Sequence, residues 1–286
     1  MEIVEIVKKL DKEFSIKSNQ ENLTEWAVTN ENKNYINLDF LERKTGLMTK
    51  NSTIIKKICT SVFITDNIVH KILKNEKCLI ITHHNFNYFE SEKGLQPIKP
   101  EILKSLLETK NSIYVAHAPL DTHKKYGTSL CLAELCEIGI EKLFFDYFGA
   151  PTALVGNIKR ERFENFCERI RKKIQRPHLS LIKNHEYVQK IAVVAGGGDI
   201  PEILQQAYNF GCDTLFTGTI EHRWNLPFIQ ESNKKFHELN KKLKLNLIGG
   251  THYATERPSM IRILEFFRGY ELENEYIEDI ELLNSK

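Results

Sequence analysis

Short apolar runs alternate with amphipathic stretches along most of the chain. The short runs are rich in β-branched and aromatic residues and are bounded by turn-forming residues, which is typical of strands. They occupy residues 57–64, 77–82, 111–117, 142–148, 190–195, 213–217 and 245–250. Amphipathic stretches lie between most of these runs, and the alternation predicts an α/β fold with a largely parallel or mixed sheet.

Residue types that begin and end helices mark several of the amphipathic stretches. Pro100 stands where the first residue of a helix over 100–110 would lie, and Gly139 stands where a helix from Thr128 would end. Asp199 follows three glycines and is placed to cap a helix that begins just after it.

The first residues of the chain have the periodicity of an amphipathic helix, with Ile3, Ile6, Val7 and Leu10 on one face. We expect no signal peptide there, because no apolar core is followed by a small-residue cleavage site. No apolar stretch approaches the roughly 18 residues that a membrane-spanning helix needs.

The net charge bears on the protein's binding partners, and the spacing of its cysteines bears on its cellular compartment. Lys and Arg number 40 against 38 Asp and Glu, which gives a formal net charge of +2. This balance disfavours nucleic acid or an anionic membrane as an obligatory partner. The cysteines form no C-x-x-C pair, so we expect reduced, structural thiols and a cytoplasmic protein. They are Cys59, Cys78, Cys131, Cys136, Cys167 and Cys212.

Three predicted strands each end in histidine, and two of those ends also carry a carboxylate. The residues concerned are His83 and His84, His117 with Asp121 four residues later, and His252 with Glu256 four residues later. Loops at the carboxyl ends of neighbouring strands converge in α/β folds. Imidazole and carboxylate together suit zinc, manganese, iron, cobalt or nickel, so the pattern predicts a metal site.

Each segment also has a purely structural interpretation. Adjacent strand residues point to opposite faces, so His83 and His84 converge only if the chain bends at the strand end. Pro119 argues against a helix, and a turn would therefore bring His117 and Asp121 together. Alternatively, the histidine pair is satisfied at the strand end, and Asp121 tightens its loop.

The last segment, HYATERP, predicts a helix capped by Thr255, with Glu256 and Pro258 in its first turn. The four-residue separation then allows the side chains of His252 and Glu256 to meet at one point. In the structural alternative, Glu256 stabilises the helix dipole and His252 only packs.

Two weaker features leave alternatives open. The glycine-rich segment 194–199 joins a predicted strand to a predicted helix, either as a phosphate cradle or as a tight turn. In the segment 217–224, Glu221 and His222 are either proton-transfer groups or exposed loop residues.

The segments IITHHNF, IYVAHAPLD, DTLFTGTIEH and GGTHYATE resemble, in order, the motifs of the Nif3-like dinuclear-metal family. This family is also described as GTP cyclohydrolase I type 2 homologues, and the resemblance runs from about residue 57 to residue 270. The chain departs from the family pattern at Asn85, Pro119 and Thr219, and Trp26 alone corresponds to the family's early W-D-N-x-G segment.

The resemblance implies two related α/β lobes with mixed sheets and a metal site in the cleft between them. The first lobe would comprise residues 1–124 and 245–286 and carry most metal ligands, and the second lobe residues 125–244. Two divalent transition-metal ions would be held by His83, His84, Asp121, His252 and Glu256. Asp121 and Glu256 would bridge the ions, and His117 would be a further ligand or would support the ligands from outside.

The resemblance also implies a homohexamer that hydrolyses a nucleotide or related small molecule through a metal-bridging hydroxide. His117 or His222 would move a proton near neutral pH. The alternative is a non-enzymatic oligomer in which the metal is structural, serving as a scaffold or regulatory protein. Five ligands shared by two ions leave coordination positions unfilled, which favours chemistry.

Overall fold

The computed structural model describes residues 1–16 and 28–285, and Trp26 lies outside these residues. The chain divides into two compact units. The first comprises residues 1–88, 95–123 and 260–279, and the second comprises residues 89–94, 124–259 and 280–286. Residues 245–259 thus group with the second unit, whereas the predicted lobes assign them to the first. The lobe boundaries themselves stay a prediction.

The helices and strands follow one another in the alternation that the sequence predicts. The described α-helices are α1 (Ile3–Glu13), α2 (Leu38–Arg43), α3 (Asp66–Ile72), α4 (Pro100–Glu108), α5 (Ala118–Asp121), α6 (Thr128–Leu135), α7 (Phe163–Lys173), α8 (Pro201–Asn209), α9 (Pro227–Leu243), α10 (His252–Arg262) and α11 (Ile280–Asn284). The described strands are β1 (Gly46–Thr49), β2 (Lys57–Ser61), β3 (Cys78–Thr82), β4 (Phe86–Tyr88), β5 (Leu95–Pro97), β6 (Ser112–Val115), β7 (Gly139–Tyr147), β8 (Ala150–Arg162), β9 (Ser180–Ile182), β10 (Tyr187–Val194), β11 (Thr214–Thr217), β12 (Asn246–Gly249) and β13 (Glu273–Tyr276). The seven predicted strands are confirmed as β2, β3, β6, β7, β10, β11 and β12.

The main sheet of the first unit has the strand order β1-β6-β3-β2-β13. Strand β1 is antiparallel to β6, and the other neighbouring strands are parallel. Buried residues such as Ile80, Ile113 and Leu103 form its core. The register pairs Thr82 with Val115, so the last residues of β3 and β6 lie side by side at one sheet edge.

The sheet of the second unit has the order β7-β8-β10-β11-β12-β9. Its three central strands, β10, β11 and β12, are parallel, and the flanking strands are antiparallel. The register aligns the last residues of the central strands, Val194, Thr217 and Gly249. Both sheets are mixed, which confirms the predicted α/β fold class.

One predicted helix end is wrong. Helix α6 ends at Leu135 with Cys136 as its C-terminal cap, and Glu137 takes a φ of 56°. Gly139 is therefore not the cap but the first residue of β7. The chain reverses two residues earlier than expected because Glu137 itself adopts the left-handed conformation that usually favours glycine.

Two compositional expectations can be compared with the structure. All six cysteines are buried, and none is paired in a disulfide with another of the six. Within the residues that the structure describes, no helix combines the length and apolar character needed to cross a membrane.

Candidate functional site

The ends of β3 and β6 carry a buried cluster of three histidines in the first unit. Ring nitrogens of His83, His84 and His117 all lie within 4.8 Å of one another, a spacing that could hold a metal ion. Strand β3 ends at Thr82, and the bend after it allows the adjacent rings of His83 and His84 to approach to 4.2 Å between centroids. The expected bend is therefore confirmed.

Hydrogen bonding determines which nitrogen of His83 faces Asp121. The Nδ1 atom of His83 lies 2.9 Å from the carbonyl oxygen of Ala116, and because a carbonyl can only accept, Nδ1 carries the proton. The lone pair of the neutral ring is then on Nε2, 3.4 Å from Oδ1 of Asp121. Two acceptor atoms that face each other in this way suit a cation.

The segment after His117 corrects the expected turn. Residues Ala118–Asp121 form the short helix α5, with His117 as its N-terminal cap. Pro119 lies in the first turn, where its missing N–H has no helical partner to lose, so it favours the helix instead of preventing it. This turn of helix directs Asp121 toward His83.

Aromatic stacking holds the second histidine of the pair. The ring of His84 stacks on Phe63 at 4.6 Å between centroids, and Tyr88 stacks against the same Phe63 ring at 4.3 Å. The His117 ring lies 4.7 Å from that of His84. The imidazole of His84 is therefore confined on two sides, which reduces the entropy that it would lose on binding a metal ion.

The second unit carries the other predicted histidine–carboxylate pair on helix α10. The Nε2 atom of His252 lies 3.0 Å from Oε1 of Glu256, as their four-residue spacing on a helix predicts. The backbone N–H of His252 donates to Oε1 of Glu90, a residue on a distant loop, at 3.1 Å. Both His252 and Glu256 are buried.

The predicted start of this helix is wrong. Helix α10 begins at His252, so Thr255 and Pro258 lie inside it. The hydroxyl of Thr255 donates to the carbonyl of Thr251 at 2.8 Å and accepts from the N–H of Gly196 at 3.0 Å. Thr255 therefore connects the helix to the glycine-rich turn and does not cap it.

The glycine-rich turn provides room for the side chains around it. Gly196 has a φ of 72°, and a Cβ atom there would collide with the carboxylate of Glu256 and lie 3.0 Å from Nε2 of His252. A Cβ atom on the next residue, Gly197, would lie 3.2 Å from Cε1 of His222. Consecutive glycines thus bring His222 and the His252–Glu256 pair against the same turn, and of the two interpretations this favours the tight turn.

Asp199 has a role that the sequence did not predict. Helix α8 begins after Ile200 without a side-chain cap, so Asp199 is not its cap. Instead, Oδ2 of Asp199 lies 2.6 Å from Nδ1 of His222 and accepts from the backbone N–H of His222 at 3.2 Å. Its Oδ1 accepts from the hydroxyl of Thr219 at 3.0 Å. The only sequence signal for this pair was an acidic residue at the end of the glycine-rich turn.

The ionised form of Asp199 is favoured in the folded protein. Burial disfavours the charge, but the hydrogen bond and charge of His222 and the hydrogen bond from Thr219 outweigh it. The pKa of Asp199 is consequently lowered below its ordinary value. Thr219, which departs from the family pattern, is one of the donors that hold this carboxylate.

We expect Asp199 to make protein stability depend on acid pH. Because the pKa is lower in the folded protein, its stabilising contribution is present above about pH 4 and is lost as the pH falls through the folded-state pKa. The difference in free energy of unfolding between wild type and Asp199→Asn should therefore shrink as the pH is lowered from about 4 toward the folded-state pKa. Urea unfolding at several pH values measures it, and a difference that is constant or grows toward acid would contradict the prediction.

His222 and Glu221 border a cavity of about 550 Å³ within the second unit. This volume is in the range of small-molecule sites. Glu221 is exposed, whereas the His222 side chain is only 13% exposed and contacts Trp224 at 4.8 Å between rings. Of the two, His222 is therefore the residue whose orientation the protein controls.

Comparison with known proteins places the chain among relatives of similar length. It is 28% identical over 240 residues to the GTP cyclohydrolase 1 type 2 homolog of Buchnera aphidicola subsp. Schizaphis graminum, covering 84% of this chain and 88% of that protein. It is 27% identical over 239 residues to the protein of the same name from Haemophilus influenzae, covering 82% and 87%.

Solved structures share the fold. One, described as protein ybgI of unknown function, has a TM-score of 0.73 and 21% identity, and the match covers 99% of this chain and 100% of that chain. Reduced HcgD from Methanocaldococcus jannaschii has a TM-score of 0.68 and 22% identity, covering 98% of each chain. The sequence model of the Duf34/NIF3 (NGG1p interacting factor 3) family matches residues 38–282, and the chain therefore belongs to this family.

Proposed function

We propose that this protein is a metal-dependent hydrolase that uses two divalent ions to act on a nucleotide or related small molecule. The ligands would be His83, His84, Asp121, His252 and Glu256. The observation that carries the proposal is the buried histidine cluster of the first unit, in which Nε2 of His83 and Oδ1 of Asp121 are acceptors 3.4 Å apart.

The donor types fit divalent transition metals. Neutral imidazoles and carboxylates are the ligands that zinc, manganese, iron, cobalt and nickel accept, and none of the five residues is a soft thiolate that would select other metals. The carbonyl of Ala116 orients His83 as such supporting groups orient metal-binding histidines. Bound there, two ions would lower the pKa of a shared water and polarise the group under attack.

The surroundings of His117 and His222 favour different roles for these two histidines. The ring of His117 lies among the predicted ligands, 4.8 Å from His83 and 4.7 Å from His84, which favours a ligand role for it over proton transfer. His222 has a carboxylate partner and borders a cavity, which favours it as the proton-transfer group.

The proposed substrate and the proposed oligomeric state are based on similarity to known proteins. The curated relatives carry the name GTP cyclohydrolase 1 type 2 homolog, and GTP is therefore the first substrate to test. A homohexamer remains the assembly that we propose from the family resemblance.

The test combines metal content with turnover. We expect about two divalent ions per chain by elemental analysis and metal-dependent turnover of GTP or p-nitrophenyl phosphate. The variant Asp121→Asn keeps the shape of the side chain but removes its charge, so it should reduce turnover while leaving the oligomeric state unchanged. Reduced assembly and thermal stability without any wild-type turnover would instead favour the non-enzymatic scaffold, with the metal in a structural role.

A further inference from the structure

Hydrogen bonds fix both the ring and the backbone of His222 in the second unit. Its ring Nδ1 lies 2.6 Å from Oδ2 of Asp199, a carboxylate that is only 4% exposed. Asn233 accepts from the backbone N–H of His222 at 3.2 Å and donates to its carbonyl at 2.6 Å. Both the ring and the backbone of His222 are therefore held in one position.

Both oxygens of the Asp199 carboxylate accept hydrogen bonds. Its Oδ1 accepts from Thr219, and its Oδ2 accepts from the backbone and ring of His222. An ionised carboxylate can only accept, so Nδ1 of His222 must carry a proton. In the neutral ring the lone pair is then on Nε2, the atom that can take up a proton from another molecule.

The position of His222 in the second unit suits proton transfer. A Cβ atom on Gly197 would lie 3.2 Å from Cε1 of the His222 ring. A Cβ atom on the preceding residue, Gly196, would meet Glu256 and His252, two of the proposed metal ligands. His222 also borders the cavity of about 550 Å³. A proton acceptor thus lies beside a space that admits a small molecule and next to proposed ligands.

We infer that Asp199 is a positioning residue that holds His222 as the proton-transfer group of the proposed hydrolase. The inference rests on the proposed function. Nε2 of His222 takes a proton from the attacking water, the Nδ1–H stays bonded to Asp199, and the carboxylate stays ionised beside the positive ring. The same Nε2–H then returns its proton to the leaving group, so the pair ends the cycle as it began.

Nuclear magnetic resonance of ¹⁵N-histidine tests the positioning without any substrate. The His222→Gln spectrum assigns the signals, and in the wild type, at a pH where the ring is neutral, we expect the proton on Nδ1. In Asp199→Asn the side-chain amide can also donate, so the proton should redistribute toward Nε2. A wild-type proton on Nε2 would overturn the inference, even if the variant does not fold.

Activity of the metal-loaded protein tests the catalytic consequence. With p-nitrophenyl phosphate as the probe, Asp199→Asn should lower kcat by about 100-fold or more while metal content stays unchanged. The acid limb of the pH profile should also move to lower pH, because the anion that stabilises the protonated ring is lost. Unchanged kcat and an unmoved acid limb would overturn the inference.

Other charged groups near His222 require a matched control. The titratable and charged residues that border it in the cavity and its surroundings are Asp199, Glu92, Glu221, Arg223, Lys234 and His237. Glu231→Gln removes one negative charge from an exposed position on helix α9, where the Glu231 carboxylate pairs with Lys235 one turn away at 2.7 Å. This variant should leave kcat and the acid limb unchanged, and a shift equal to that of Asp199→Asn would show a general charge effect and overturn the inference.

If the wild type turns over neither GTP nor p-nitrophenyl phosphate, the proposed function fails, and the ¹⁵N spectra still decide whether Asp199 positions His222.

Discussion

Replacing His84 with alanine should weaken Mn²⁺ binding by more than about 100-fold, because loss of an outer supporting group alone costs about 10–100-fold. His84 lies inside the histidine cluster, with ring centroids 4.2 Å from His83 and 4.7 Å from His117. Its ring is held against Phe63, so the wild type loses little side-chain freedom when it binds an ion. Calorimetric titration of chelator-treated protein with Mn²⁺ measures the affinity.

The control for this prediction is an exposed histidine. His178→Ala removes an imidazole from the surface and should leave Mn²⁺ affinity unchanged. Thermal unfolding monitored by circular dichroism separates a lost ligand from a lost fold, since His84→Ala also removes the stacking on Phe63. Equal Mn²⁺ affinity in wild type and a folded His84→Ala variant would exclude the histidine cluster as the metal site.

Replacing Gly196 with alanine should destabilise the protein and disturb the His252–Glu256 pair. The left-handed φ of 72° alone costs alanine about 1–2 kcal/mol. The added methyl would also collide with the Glu256 carboxylate, which is buried and therefore has little room to move. We expect the free energy of unfolding to fall by at least about 1 kcal/mol more than backbone strain alone explains, together with weaker Mn²⁺ binding.

Gly211 offers a matched control for this substitution. It has nearly the same φ, 76°, but no atom lies within 4 Å of where its Cβ would be. Gly211→Ala should therefore show only the backbone strain and keep the wild-type Mn²⁺ affinity. Urea unfolding of both variants gives the comparison. Equal destabilisation by the two substitutions would show that the Glu256 carboxylate moves aside at no cost. That result would contradict the predicted collision at Gly196.

The order of strands and helices could be predicted because it depends on local patterns. Runs such as 77–82 and 213–217 are apolar and β-branched, and both form strands whose residues are buried. The bend that joins His83 to His84 also followed from local chemistry, since the strand ends there. The four-residue spacing of His252 and Glu256 predicted their meeting because it depends only on the repeat of a helix.

One error arose where a distant segment satisfies a local group, and another arose from the position of a proline within a single helical turn. Thr255 has the residue type of a helix cap, but its hydroxyl is used by Thr251 and by Gly196 from another strand end. Pro119 was expected to prevent a helix, yet it lies in the first turn of α5. A proline is tolerated there because the N–H that it lacks would have no partner within the helix. Residue type alone could not distinguish these positions.

By itself, the sequence determined the α/β class, the strands and the residue types at the strand ends, because hydrophobic periodicity and helix spacing act over a few residues. Only the tertiary structure decided that Asp199 contacts His222, and that Gly196 makes room for Glu256. These contacts depend on the register that aligns the ends of β10, β11 and β12. Hydrogen bonds between segments far apart in sequence form only once the sheet brings them together, so no local pattern records them.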